Sequence, residues 1–312
     1  MADTSTHPRS LLARIFITPA EPRLRAGWRL TLQSLLLLVL VFVFSLPVEL
    51  FFYFKPLTNP YLQQLFSGMG VLIAVTLSVY LARRWFDRRT FSSLGLRWNR
   101  RAGRDFTVGL LAAGVMLGLV FVIELAFGWL QIDGFAWQTA HPLQTWSGVL
   151  VMLFVFIAVG WQEELLSRGY WLQNLSAGLN LFWGVLISSL LFSLGHLANP
   201  NFSWLAVGGL LLAGIFLAYA YLRTGQLWLS IGLHVGWNFF EGPIFGFPVS
   251  GLTSFPVVIS HTAKGPELIT GGNFGPEAGL ILIPAIAMGL FIVWWYTRQL
   301  VPSLSLPSAR AG

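Results

Sequence analysis

Eight runs of mostly apolar residues, most of them near the twenty that cross a bilayer core, leave this chain little choice of architecture. They cover roughly 28–52, 61–82, 106–130, 146–175, 181–197, 204–222, 227–245 and 277–296, the fifth and seventh being the short ones. Apolar residues follow one another within each run instead of alternating, so strands of a membrane barrel are not indicated. With 55% hydrophobic and 10% charged residues, against about 25% charged in soluble domains, the expected fold is all-α. The chain reads as a polytopic membrane protein of about eight transmembrane helices enclosing an intramembrane cavity.

Arginine placement predicts the orientation. Arg9, Arg14, Arg23, Arg25 and Arg29 precede or open the first run, and Arg83, Arg84, Arg88, Arg89, Arg97, Arg100, Arg101 and Arg104 follow the second. The positive-inside rule assigns both clusters to the cytoplasm, and Arg223 and Arg298 fall on the same side of an eight-span topology. Both termini are therefore expected in the cytoplasm, in a membrane such as the bacterial inner membrane. The first run is too long for a signal-peptide core and reads as a retained span.

The chain divides into a basic N-terminal segment (1–27), two spans with an Arg-rich and aromatic cytoplasmic interfacial segment (28–105), a helical core (106–298) and a Pro- and Ser-containing tail (299–312) that reads as disordered. Because the basic residues lie beside hydrophobic runs, orientation in the bilayer explains the net charge of +7 better than nucleic-acid binding does. Membrane lipids are the expected surroundings. Cysteine is absent, which removes disulfides, thiolate metal sites and a cysteine nucleophile.

Against this apolar background a few polar groups stand out. Glu163, Glu164 and Arg168 lie in the fourth run, His196 ends the fifth, and His234 and Asn238 lie in the seventh. Ionisable groups cost about 2.5–3.5 kcal/mol each at mid-membrane on insertion scales, so their presence there points to a reaction centre. Glu164 and Arg168 are one helical turn apart and can neutralise each other. Glu163 is rotated by about 100° from Glu164, free to face a cavity and act on water. Phe192 and His196 share a face, as do His234 and Asn238, with Glu241 one turn further. A carboxylate, two imidazoles and a carboxamide converging on one water supply a general base, oxyanion donors and an optional metal clamp. The spacing is not that of an HExxH zinc site.

EExxxR at Glu163–Arg168, FxxxH at Phe192–His196 and HxxxN at His234–Asn238 together resemble the three motifs of the CPBP family of intramembrane proteases. This family of CAAX proteases and bacteriocin-processing enzymes, also called Abi, includes the type II CAAX prenyl endopeptidase. Leu94-Gly95-Leu96-Arg97 is similar to a GLR stretch found upstream in such proteins. The resemblance covers roughly 150–240 and implies that Glu163 activates water with help from His196. It further implies that His234 and Asn238 stabilise the oxyanion, with Glu164 and Arg168 in support. Both a metalloprotease and a metal-free glutamate mechanism are attached to the family. If a divalent metal such as zinc binds, Glu163, His196 and His234 are its candidate ligands, but the sequence does not require one.

The expected function is an intramembrane endopeptidase that cuts a membrane-anchored or prenylated peptide near the cytoplasmic surface. The alternatives are a non-catalytic membrane scaffold or bacteriocin self-immunity protein of the same fold, and a proton-coupled transporter, to which Glu49 and Glu124 would belong. One geometric tension accompanies the site. With straight helices, His196 falls near the far end of its span and His234 only about two turns from the cytoplasmic end of its own. The two can meet only if helices are tilted, offset or extended beyond the bilayer.

Overall fold

The computed structural model describes residues 16–18 and 23–300; most of the basic segment 1–27, His7 included, and of the tail 299–312 lie outside the described residues. Helices dominate, as expected. The helices are α1 Ala26–Phe54, α2 Pro60–Trp85, α3 Arg100–Ala126, α4 Pro142–Gly178, α5 Leu181–Leu194, α6 Trp204–Thr224, α7 Trp228–Phe239, the short α8 Glu267–Thr270 and α9 Leu282–Thr297. Five of them, α1, α2, α3, α4 and α6, are long and apolar enough to cross a membrane, and α5 and α9 are shorter apolar helices. The seventh run is different. Helix α7 is 12 residues long and buried along nearly its whole length, which makes it a central core helix. The eight expected runs thus appear as eight helices, five of them long enough to span.

Boundaries shift where local chemistry dictates. Helix α3 begins at Arg100 because the Asn99 side chain accepts the Ala102 amide as an N-cap, so Arg100, Arg101 and Arg104 are helical. The last helix begins at Leu282, since Gly275, Pro276 and Gly279 break the run and leave Glu277 in a 3-10 turn. Beside the helices lies one small two-stranded antiparallel sheet that the sequence did not indicate, β1 Leu130–Phe135 with β2 Ile259–Ala263. The two segments are short and more than a hundred residues apart, so neither shows the sustained alternation that marks a strand within one sequence window.

Ion pairs and hydrogen bonds fix which helix ends lie together. Arg29 at the start of α1 meets Asp87 just after α2, Arg223 near the end of α6 donates to Thr297 at the end of α9, and Arg104 in the first turns of α3 donates to Tyr296. Every described arginine except Arg168 belongs to this end, which we call the Arg-rich end. The opposite end carries the β-sheet and the loops after α5 and α7. Helix α1, with only 6% of its apolar window buried, presents its side chains outward as a lipid-facing helix does. Of the Arg-rich segment, Arg83, Asp87 and Leu94 are buried while Trp85 and Trp98 are exposed.

Glycines bring α7 against α3 at backbone contact. A Cβ at Gly232 would overlap the Phe106 carbonyl, and one at Gly109 would overlap the Leu229 carbonyl. Small residues are what let membrane helices approach this closely. Gly232→Ala is therefore expected to destabilise the fold by about 1–3 kcal/mol through overpacking, read as a lowered melting temperature in detergent. Gly208→Ala, where a Cβ meets nothing within 4 Å, should leave the melting temperature unchanged.

Candidate active site

The site is built where α4, α5 and α7 meet. At 37 residues, α4 is about 55 Å long at 1.5 Å per residue, well beyond a bilayer core of about 30 Å. Immediately after Glu164 it opens into a π-helical turn, Leu165–Trp171. Such wide turns cluster at functional sites because they re-aim side chains within an otherwise regular helix. Helix α5 stops at Leu194, so His196 sits in the turn that follows it. A helix that overruns the membrane beside one that ends early is what brings His196 and His234 to one level, and the tension over their depths disappears.

Glu164 is completely buried and accepts two charge-assisted hydrogen bonds on Oε1. Arg168 Nη1 donates at 2.6 Å and His234 Nδ1 at 2.9 Å. Arg168, equally buried, also donates Nη2 to the Gly214 carbonyl at 3.1 Å, and its guanidinium lies 4.4 Å from the Phe192 ring centroid. Phe192 in turn lies edge-on to both imidazoles, at 5.1 Å from His196 and 5.8 Å from His234. One aromatic ring therefore braces the buried cation and both histidines.

The two imidazoles are held alike. His196 donates Nδ1–H to the Phe192 carbonyl at 3.0 Å, as His234 donates its own to Glu164. With both Nδ1 atoms occupied, both Nε2 atoms face Glu163, at 4.0 Å from His196 and 3.7 Å from His234 to Oε2. That oxygen has no hydrogen-bond partner in the protein. The three atoms are too far apart to bond directly, at a spacing that one water bridges. Because the Nδ1–H of His234 is committed to Glu164, a neutral His234 offers only a lone pair at Nε2. It can donate to an oxyanion only as an imidazolium.

The trio also bears on a resident metal. Imidazoles fixed through Nδ1 with Nε2 exposed are what metal ligation asks for. Ligand atoms on a tetrahedral zinc, however, lie about 3.3 Å apart, given bonds of about 2.0–2.1 Å. The observed 3.7 and 4.0 Å exceed this, and among the described residues no group of three or more His, Cys, Asp or Glu is placed to hold a metal ion. As arranged, Glu163, His196 and His234 do not fit a zinc.

These groups, with Asn238, line a cavity of about 350 Å³. Its wall contains a further acid, Glu277, whose Oε2 accepts the Ser250 hydroxyl at 2.5 Å. Glu277 was legible only as the first residue of the last apolar run; the signal was an acid beside a span, with nothing to tie it to the distant motifs. Glu241 is fully buried one turn beyond Asn238. Glu49 is exposed on α1 and Glu124 is buried in α3, and neither lines this cavity. The remaining described histidines lie elsewhere. His141 precedes α4, and His261 in β2 packs against Phe247 and Phe121, where burial lowers its pKa.

Comparison with known proteins agrees with the region that carries the site. Residues 145–240 match the family described as type II CAAX prenyl endopeptidase Rce1-like, a stretch that holds all three motifs. No curated protein and no solved structure matches the chain.

Proposed function

We propose that this chain, whose residues 145–240 match the type II CAAX prenyl endopeptidase Rce1-like family, is an intramembrane peptidase that hydrolyses a membrane-anchored or prenylated peptide with a water activated by Glu163. One observation carries the reading. Two imidazoles, each anchored through Nδ1, present Nε2 to an unpartnered carboxylate oxygen inside a cavity enclosed by apolar helices. A packing cluster has no use for this convergence, because its charges would be better paired with one another.

Ionised Glu163 takes a proton from the water as its oxygen attacks the scissile carbonyl carbon. His196, its Nδ1 tethered, offers its Nε2 lone pair to the water's second hydrogen and so sets the direction of attack. The developing oxyanion accepts hydrogen bonds from the Asn238 amide and from Nε2–H of imidazolium His234. Glu164 and Arg168 hold that imidazolium in place as positioning residues. When the C–N bond breaks, Glu163 returns the proton to the departing amine, leaving an acid and an amine with the base regenerated.

The test is hydrolysis of a prenylated, membrane-anchored peptide by the purified full-length protein, with metal analysis of the same sample. Turnover should persist in a strong chelator, and the protein should carry no stoichiometric zinc. Loss of turnover in chelator, restored by adding zinc, would overturn the metal-free arrangement; no turnover on any membrane-anchored peptide would overturn the peptidase reading.

A further inference from the structure

The two ends of the catalytic cavity are unlike. Toward the Arg-rich end, the helix beyond the Glu164–Arg168 pair is sealed by a buried polar network. Arg83 bridges Asp87 and the Gln173 side chain at 2.7 and 3.1 Å. Gln173 donates onward to the Tyr221 hydroxyl at 2.8 Å and the Leu94 carbonyl at 3.2 Å. All five of these residues are at most 2% exposed, and the loop they hold is pinned again where the Leu227 amide donates to the Gly95 carbonyl at 3.0 Å. A fully satisfied buried network of this kind is rigid and expensive to open.

Toward the opposite end the walls are loops. The turn carrying His196 and Asn199, and Val249, Ser250 and Leu252, line the cavity at this end, with Leu252 45% exposed. The Asn199 amide donates to the Ser250 carbonyl at 2.9 Å, tying the two loops together. Beside them, α4 on the loop side of its π-turn no longer packs closely on α5, leaving Leu191 partly exposed at the cavity edge. On α6, the cavity residue Leu210 is about 9 Å from the loop end and about 21 Å from the Arg-rich end, at 1.5 Å per residue.

We infer that the catalytic cavity is served from the face opposite the Arg-rich end, so that its substrate is a membrane-anchored peptide whose scissile bond lies on that face. The charge pattern says which face this is. Lys55 and Lys264 are the cations of the opposite-end loops, against thirteen arginines among the described residues at the sealed end. The positive-inside rule puts the sealed end in the cytoplasm. The substrate is then a peptide with its scissile bond on the extracytoplasmic side, an inference that departs from the cytoplasmic-surface cleavage expected from sequence. This deepens the peptidase reading and rests on it for the existence of a substrate, whereas the route itself does not.

The chain has no cysteine, so one introduced thiol reports one position. Leu252→Cys marks the mouth, and Trp98→Cys, at a residue 86% exposed, marks the Arg-rich end. A membrane-impermeant maleimide should label Leu252→Cys in right-side-out vesicles and Trp98→Cys only in inverted ones. Labelling of both from one face, labelling of Leu252→Cys only in inverted vesicles, or its protection until detergent is added would overturn the route. In labelled protein that hydrolyses peptide, a bulky maleimide on Leu252→Cys should lower turnover at least tenfold; full turnover at complete labelling would overturn the mouth as the substrate's entry. The labelling arm needs no activity. An inactive protein with the expected labelling pattern removes the peptidase reading and leaves the route standing.

Discussion

Glu163→Gln is expected to lower peptide hydrolysis by about 10²–10⁴-fold, the range that a positioned general base supplies, while leaving the fold intact. The amide is isosteric with the carboxylate but cannot take the proton of the attacking water. Glu163 is also the least buried of the charged groups at the site, with its side chain 29% exposed to the cavity, and its nearest contacts are the two imidazoles at 3.7 and 4.0 Å. The variant thus breaks no direct hydrogen bond to the protein, and its melting temperature should match the wild type. The loss should fall on kcat more than on KM, because the proton moves only on the way to the transition state. Hydrolysis by Glu163→Gln equal to the wild type would remove Glu163 as the base. Glu164→Gln is the instructive contrast. It weakens the charge-assisted bonds to Arg168 and His234, so its loss of activity should come with a loss of stability.

The motifs made the composition of this site legible and left its shape hidden. Helical spacing was enough to set Glu164 beside Arg168 and to rotate Glu163 away from them, and the structure has both features. Phe192 and His196 stand one turn apart in sequence, yet the backbone bond that fixes the imidazole, from His196 to the Phe192 carbonyl, depends on α5 ending between the two, at Leu194. Periodicity cannot reveal the π-turn after Glu164, because Leu165, Leu166 and Trp171 would suit a regular helix equally well. Helix α7 reads as a span from its apolar residues, but its glycines, Gly232 and Gly236, are set against α3, and burial by protein leaves the same apolar signature as burial by lipid. Glu277 and the β1–β2 pairing are contacts between segments far apart in the chain, which no local window contains. The face on which the cavity opens is of the same kind. It depends on which loops fold over the site, and arginine counts alone orient the helices without saying where the mouth is.

Arg168 should prove the most sensitive position for stability. Its guanidinium is 1% exposed and donates to Glu164 and to the Gly214 carbonyl of α6, with Phe192 stacked against it, so it connects three helices at once. Arg168→Ala removes the partner of a carboxylate that is completely buried, and breaking a buried pair in this one-sided way costs about 3–5 kcal/mol. The expected result is a large drop in melting temperature or failure to accumulate in the membrane, with hydrolysis lost as well. Two further variants separate charge from shape. Arg168→Lys keeps the charge but cannot donate to Glu164 and Gly214 from one planar fork, so it should fold with reduced stability and reduced kcat. The double variant Glu164→Gln with Arg168→Met leaves no unpaired charge and should recover much of the stability lost in Arg168→Ala, because replacing both partners is far less costly than orphaning one. Hydrolysis should remain low in the double variant, since Nδ1 of His234 then faces a neutral amide and the imidazolium has lost its counter-charge. Full activity together with recovered stability would show that the pair only packs the helices, and that the orientation of His234 comes from elsewhere.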